Sequence, residues 1–332
     1  MNTQRRQQLV TAVAAAGGLA LFAWSVHDAG AEEILSGIRR VGWGLVPILA
    51  LAGLRFVLRT EAWRLCMPVK SRLGFRQAFV AFLAGDALGN VTPLGMIASE
   101  PAKVFLTRHH LATGESVASL AIDNLVYALS VVTMIAIGLI VLLTTVRLPF
   151  EAQELGLVAL LLITIFIAAS VRVFRPRQRS SPASGPALLL KLRRLRDAVM
   201  EFSAGHPSRL WRAYVINISF HAVAVCEAYV TLYWLLGDRS PTFSEAIMFE
   251  SLNRVVTVVF KFVPLRMGVD EAISKAFAPL VNVNPAAGVA LAVVRKVRSL
   301  FWIGVGLLFI AVMHVRSAPV PSRAESVPAH RT

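Results

Sequence analysis

Three stretches, residues 9–26, 155–169 and 301–313, run without a single charged side chain. An apolar helix of about 20 residues crosses the hydrocarbon core of a bilayer. In hydrocarbon every backbone amide and carbonyl must be satisfied within the protein, so such stretches are helices or strands of a closed barrel. A barrel would show alternating segments of about ten residues, and none is present. The reading is therefore an all-α polytopic membrane protein. Composition agrees: 56% of the residues are hydrophobic and 16% charged, against roughly 25% charged in soluble domains.

The net charge of +15 is explained by where the basic residues lie. They sit between and beside the apolar runs, as at Arg172, Arg175, Arg177 and Arg179. Neither a zinc-finger spacing nor an aromatic RNA-binding motif accompanies them, so nucleic acid is not an expected partner. Cys66 and Cys226 lack a CxxC partner, which argues against a disulfide framework and a zinc site. His109 and His110 have no companion ligands, and His221 and Glu227 are badly spaced to share a metal on one helix. No metal and no cofactor is expected.

Lysine and arginine collect on the cytoplasmic side of membrane proteins. Arg5 and Arg6 precede the first span (9–26). Together with Ala29, Gly30 and Ala31 that segment also resembles a signal peptide, but its length reads as a retained helix. Further spans fall at about 41–65, 115–145, 155–174, 211–236 and 286–314, with both termini cytoplasmic in the bacterial inner membrane. Basic ends at Arg64, Lys70, Arg72 and Arg76, and a basic linker at about 175–210 containing Lys191, Arg193, Arg194 and Arg196, fit this orientation. Residues 191–202 are either an amphipathic helix on the anionic leaflet or a solvated connector. Pro, Ser and Ala dominate 317–332, which reads as a disordered tail.

Two stretches do not fit simple spans. Residues 75–108 carry Asp86, Gly89, Asn90, Pro93 and Gly95 and then a second short helix with Glu100 and Lys103. Residues 243–280 repeat the plan around Lys261, Pro264, Arg266 and Gly268. Glycine and proline at this density break helices, so each stretch is expected to be a re-entrant hairpin hinged at Gly89 and Pro93 or at Pro264 and Gly268. The stretches share a register. Pro93 and Pro264, Met96 and Met267, and Glu100 and Glu271 are each 171 positions apart (264 − 93). The same offset pairs Ser99 with Asp270 as N-cap candidates and sets Asp123 and Asn124 opposite Val294 and Arg295. Three full crossings and one hairpin per half make the second copy inverted, an architecture common among transporters. The halves are 1–150 and 151–316.

These residues resemble the lysylphosphatidylglycerol synthase transmembrane region family, a flippase-like group. The resemblance is carried by Asn90-x-x-Pro93 followed by Glu100 and Asp123, and by Pro264-x-x-x-Gly268-Val269-x-Glu271 followed by Arg295. It covers about residues 40–314 and implies a membrane module that moves lysyl-lipid between leaflets. Lys103, Asp123-Asn124 and Arg266 depart from the family pattern.

A charge near the bilayer centre costs about 2.5 to 3.5 kcal/mol on insertion scales. Asp86, Asn90, Glu100, Lys103, Asp123, Asn124, Lys261, Arg266, Asp270, Glu271, Arg295 and Arg298 are therefore expected to pair or to line a wet cavity that takes a lipid headgroup. Plainer readings stand beside this one. Glu100 and Glu271 can serve as caps or internal ion pairs. Lys261, Lys296 and Arg298 can snorkel to an interface. Arg55, Arg59 and Arg64 read as topology anchors, and Glu227 as either ligand or buried acid. The expected function is translocation or carriage of an anionic or modified lipid, with anionic phospholipid, polyprenyl phosphate and hopanoid-type lipid as candidate partners. A non-transporting accessory subunit of envelope lipid synthesis is the alternative, with partner proteins of that synthesis and a homodimer in view. No HExxH, GxSxG or Walker motif occurs, so a membrane enzyme modifying headgroups is the least expected class.

Overall fold

The computed structural model describes residues 32, 39–92, 96–173, 187–237, 239–260, 266 and 268–316, which are almost wholly helical with no strand among them. The described helices are α1 (Leu45–Leu65), α2 (Phe75–Val91), α3 (Met96–Thr107), α4 (Thr113–Thr145), α5 (Phe150–Val173), α6 (Ala187–Gly205), α7 (Pro207–Leu236), α8 (Phe243–Val259), α9 (Val269–Phe277) and α10 (Pro285–Arg316). The expected span at 9–26, linker residues 175–186, the tail 317–332, and Pro93, Lys261 and Pro264 lie outside the described residues.

Four helical segments, Arg39–Leu65, Thr113–Thr145, Phe150–Ala169 and Pro207–Leu236, are long and apolar enough to cross a membrane. They coincide with four of the expected spans. The fifth, α10, has 32 residues but carries Arg295, Lys296 and Arg298 in its first half. Local chemistry sets the starts. Pro207 and Pro285 occupy first helical positions, where a missing N–H is harmless. The Asn284 Oδ1 accepts a 2.7 Å bond from the Ala287 amide. Thr242 and Glu245 cap α8 reciprocally, with bonds of 3.2 and 3.1 Å. The N-cap expectation fails. Ser99 lies within α3, which begins at Met96. Gly268, at φ 75°, precedes α9 and leaves Asp270 in the first turn. That backbone conformation favours glycine over any residue with a Cβ.

Helices α1 and α7 pack side by side and run antiparallel. Gly44 abuts Trp234 near one end, the Arg209 Nη2 donates to the Arg64 carbonyl at the other, and Arg55 meets Glu227 between them. The remaining packing is reciprocal: α4 lies on α8, and α2 lies on α10. Each crossing is made at a glycine. A Cβ on Gly138 would sit 2.0 Å from the Ser251 Oγ, and one on Gly306 would sit 2.7 Å from the Ala87 Cβ. Small residues let backbones approach where lipid supplies no hydrophobic drive.

Two apolar clusters mirror one another. Trp63, Phe82 and Leu120 join the C-terminal end of α1 to the starts of α2 and α4. Leu232, Phe249 and Leu291 join the C-terminal end of α7 to the starts of α8 and α10. Because α1 and α7 are antiparallel, the clusters lie at opposite ends of the pair. The outermost span, α5, packs on α4, and none of its apolar window is buried. Leu155, Leu161, Leu162 and Phe166 point outward, which suits a lipid solvent. Helix α6 covers the expected amphipathic segment and lays Val199 and Phe202 on a patch formed by Leu65, Ile122 and Ala213.

Candidate functional site

The inward faces of these helices carry charge. On α1 the buried face runs through Ile48, Ala52, Arg59, Ala62 and Trp63, and on α4 through Ser116, Ser119, Asp123, Ser130 and Gly138. Spacings of three and four place each series on a single side of its helix. On α7 the series is Asn217, His221, Ala224, Glu227, Ala228 and Thr231. Small and polar residues thus interrupt the apolar interior, while the faces turned outward are apolar.

Three ionic groups join there. Arg59 grips Asp123 with both terminal nitrogens, at 3.2 and 2.8 Å, and Nη1 also donates to Asn217 at 2.6 Å. Glu227 on α7 receives the Arg55 Nη1 of α1 at 2.8 Å on one oxygen and the Arg298 Nη1 of α10 on the other. Glu250 on α8 receives Arg254 on one oxygen and the Arg295 Nη2 at 3.3 Å on the other. Aromatic rings connect the groups. Arg59 lies 4.1 Å over Tyr127, whose hydroxyl accepts from the Arg254 Nη1 at 3.4 Å. Arg55 and Arg254 lie 4.6 and 5.3 Å from the Phe220 ring centre. Cations over π-faces gain most where water is excluded.

Around this centre stand four more groups. Lys103 donates to the Glu100 Oε1 at 3.1 Å, and the Lys296 Nζ is 2.5 Å from a Glu271 oxygen. Arg266 reaches both oxygens of Asp270 at 3.1 Å and donates to the Thr257 Oγ1 at 2.6 Å. On α2 the Asn90 Nδ2 donates to the Asp86 Oδ2 at 2.9 Å. Gly85 makes room for Lys103, since a Cβ there would lie 2.6 Å from its Cγ. The second oxygen of Glu100 and the Oε2 of Glu271 are both buried and unpaired. The two glutamates that share a register in sequence therefore share an environment: each is held by a lysine and has an oxygen without a partner among the described residues.

Of the expected site residues, Asp123, Arg295 and Arg298 belong to the three central ionic groups, and Asp86, Asn90, Glu100, Lys103, Arg266, Asp270 and Glu271 form the surrounding pairs. Asn124 stands one residue from Asp123 and lines a different feature, a cavity of about 540 Å³ between α3 and α4. Val104, Phe105, Val117 and Leu120 supply its apolar wall, and Glu100 its acid. Gly89 lies inside the continuous helix α2. Lys296 and Arg298 are buried and paired rather than snorkelling. Arg55 and Arg59 are central site members rather than anchors. Arg64, two-thirds buried, pairs with Glu61 at 2.6 Å near the end of α1.

Sequence reading missed Glu250 and Arg254. A signal was available, because an acid and a base four apart in an apolar helix form a pair on one face. Among the described residues no three His, Cys, Asp or Glu side chains gather as a metal site.

A multi-pass helical bundle with ion pairs buried between its helices defines a class of intramembrane protein. The family model for the lysylphosphatidylglycerol synthase TM region matches residues 9–307, and the chain belongs to that family. Neither a curated protein nor a solved structure matches it.

Proposed function

We propose that the chain is a lipid translocase, or a lipid-binding carrier, of the bacterial inner membrane. On this reading an anionic or modified headgroup passes through the polar seam while its tails stay in the bilayer. One observation carries the proposal: about a dozen ionisable side chains are buried across helices that elsewhere face lipid. Buried ion pairs recover less than their desolvation cost unless their geometry is excellent, so a seam this large adds little to stability and calls for another use. The cavity between α3 and α4 adds a mostly apolar recess with Glu100 in its lining, a surface on which an amphiphile can rest.

The reciprocal packing supports an inverted repeat in which α1 to α4 correspond to α7 to α10. Helices α2 with α3, and α8 with α9, are then the two re-entrant hairpins. Such repeats place the substrate near the midplane between the halves. With a basic cytoplasmic side, both termini are inside. The reading assigns the chain no catalytic step.

The test is leaflet exchange in proteoliposomes of the full chain, using fluorescent phosphatidylglycerol and a quencher restricted to the outer aqueous phase. Exchange faster than in protein-free vesicles supports translocation. Unaltered exchange with unaltered lipid points to the accessory-subunit reading, and a changed headgroup mass points to an enzyme. Either outcome removes the proposal.

A further inference from the structure

In the central network the guanidinium groups outnumber the carboxylates they bond to, and two guanidinium N–H groups find no bond among the described residues. Asp123, Glu227 and Glu250 have six carboxylate oxygens between them, and each already receives a guanidinium nitrogen. Five arginines, Arg55, Arg59, Arg254, Arg295 and Arg298, face these three acids. The Nε atoms of Arg55 and Arg254 are buried and have no acceptor among the described residues. Their side chains are only 11% and 6% exposed. A buried N–H without a partner is uncommon in folded proteins and carries the desolvation cost of an unmade bond. Both Nε groups belong to guanidiniums that lie against Phe220, on α1 and α8, helices that meet around α7.

We infer that Arg55 and Arg254 form an anion site beside Phe220, and that its ligand is a phosphate group, presented either as free phosphate or as the phosphodiester of a lipid headgroup. The assignment deepens the translocase reading and rests on it for the lipid source alone. Guanidinium suits the task because it offers several donors in a plane, so one edge can hold a carboxylate while another meets a tetrahedral oxyanion. Glu227 and Glu250 occupy terminal nitrogens and leave the Nε edges open. They act as positioning residues for the two arginines.

The experiment replaces both arginines by lysine in the full chain. Lysine keeps the charge that Glu227 and Glu250 require but has no Nε–H edge. Purified wild type and the Arg55→Lys/Arg254→Lys variant are titrated in a neutral detergent with three probes: inorganic phosphate, dioctanoyl phosphatidylglycerol and uncharged dioctanoylglycerol. Ligand-dependent melting, followed by tryptophan fluorescence, gives the affinity. Wild type is expected to bind phosphatidylglycerol, with inorganic phosphate also binding if the site takes the group alone. Dioctanoylglycerol is expected to produce no shift at equal concentration. The double variant is expected to weaken phosphate-dependent binding by at least about tenfold while melting, without ligand, near the wild-type temperature. A variant that melts early is replaced by Arg55→Lys alone, for which the same loss is expected.

Equal affinity in wild type and variant overturns the site, as does the absence of any phosphate-dependent shift. Leaflet exchange separates this from the wider reading. Exchange that persists unchanged in the variant retains translocation and removes the anion site. Phosphate binding without exchange retains the site and removes translocation.

Discussion

Glu227 is the residue whose loss is most informative about the seam. Its carboxylate is 5% exposed and sits between Arg55 and Arg298, themselves 11% and 14% exposed. Glu227→Gln preserves shape and one acceptor but leaves two buried cations without a counter-charge. If the pairs were ordinary hydrogen bonds in a membrane interior, the change would cost about 0.6 kcal/mol, the average of measured interhelical cases. If charge compensation governs, breaking a buried pair costs about 3 to 5 kcal/mol. The second value is expected here, because both oxygens are engaged and the side chain is only 5% exposed. Unfolding by added SDS in mixed micelles, followed by far-UV circular dichroism, measures the difference. Arg298→Met added to Glu227→Gln removes one stranded cation and is expected to recover part of the loss. The reasoning fails if Glu227→Gln stays within about 0.6 kcal/mol of wild type, or if the two substitutions are simply additive.

Gly138→Val places side-chain atoms where the Ser251 side chain stands and prises α4 from α8. It is expected to destabilise by about 1 to 3 kcal/mol in the same SDS titration. Leu161→Arg puts a charge on the lipid-facing side of α5, where Leu161 is 59% exposed. It is expected to raise the insertion cost of that helix by about 2.5 to 3.5 kcal/mol, read as a lower inserted fraction in a glycosylation-mapping assay.

Helices and their solvent were legible because the relevant signals are local. Apolar runs act within a few residues, and four spans fall where the hydropathy places them. Partners were not legible, for a physical reason. Arg55 and Glu227 are 172 residues apart, and nothing near either residue specifies that α1 will lie antiparallel to α7. Arg55 and Arg59 read as anchors because basic residues near a cytoplasmic end usually are. Their burial follows from sharing a face with Ala52, Ala62 and Trp63, a pattern visible in sequence but silent about what lies opposite. Glu250 and Arg254 fall outside the 171-residue register, so a search built on that register passes over them.

That gap in the register has a cause if the halves are inverted copies. Along the contact between α1 and α7, a residue in one half faces its neighbourhood in the other. An arginine kept in both copies would face an arginine, and like charges in a low-dielectric interior repel strongly. The two halves therefore cannot keep identical charges at the axis. The structure has the cation on α1 and the anion on α4 in one half, Arg59 with Asp123, but the anion on α7 and the cation on α10 in the other, Glu227 with Arg298. Arg55 with Glu227 then joins the halves across the axis. Away from the axis no such conflict exists, and there Glu100 and Glu271 keep their identity and each meets a lysine, Lys103 from its own helix and Lys296 from α10. The sequence repeat survives where the copies do not meet and is lost where they do.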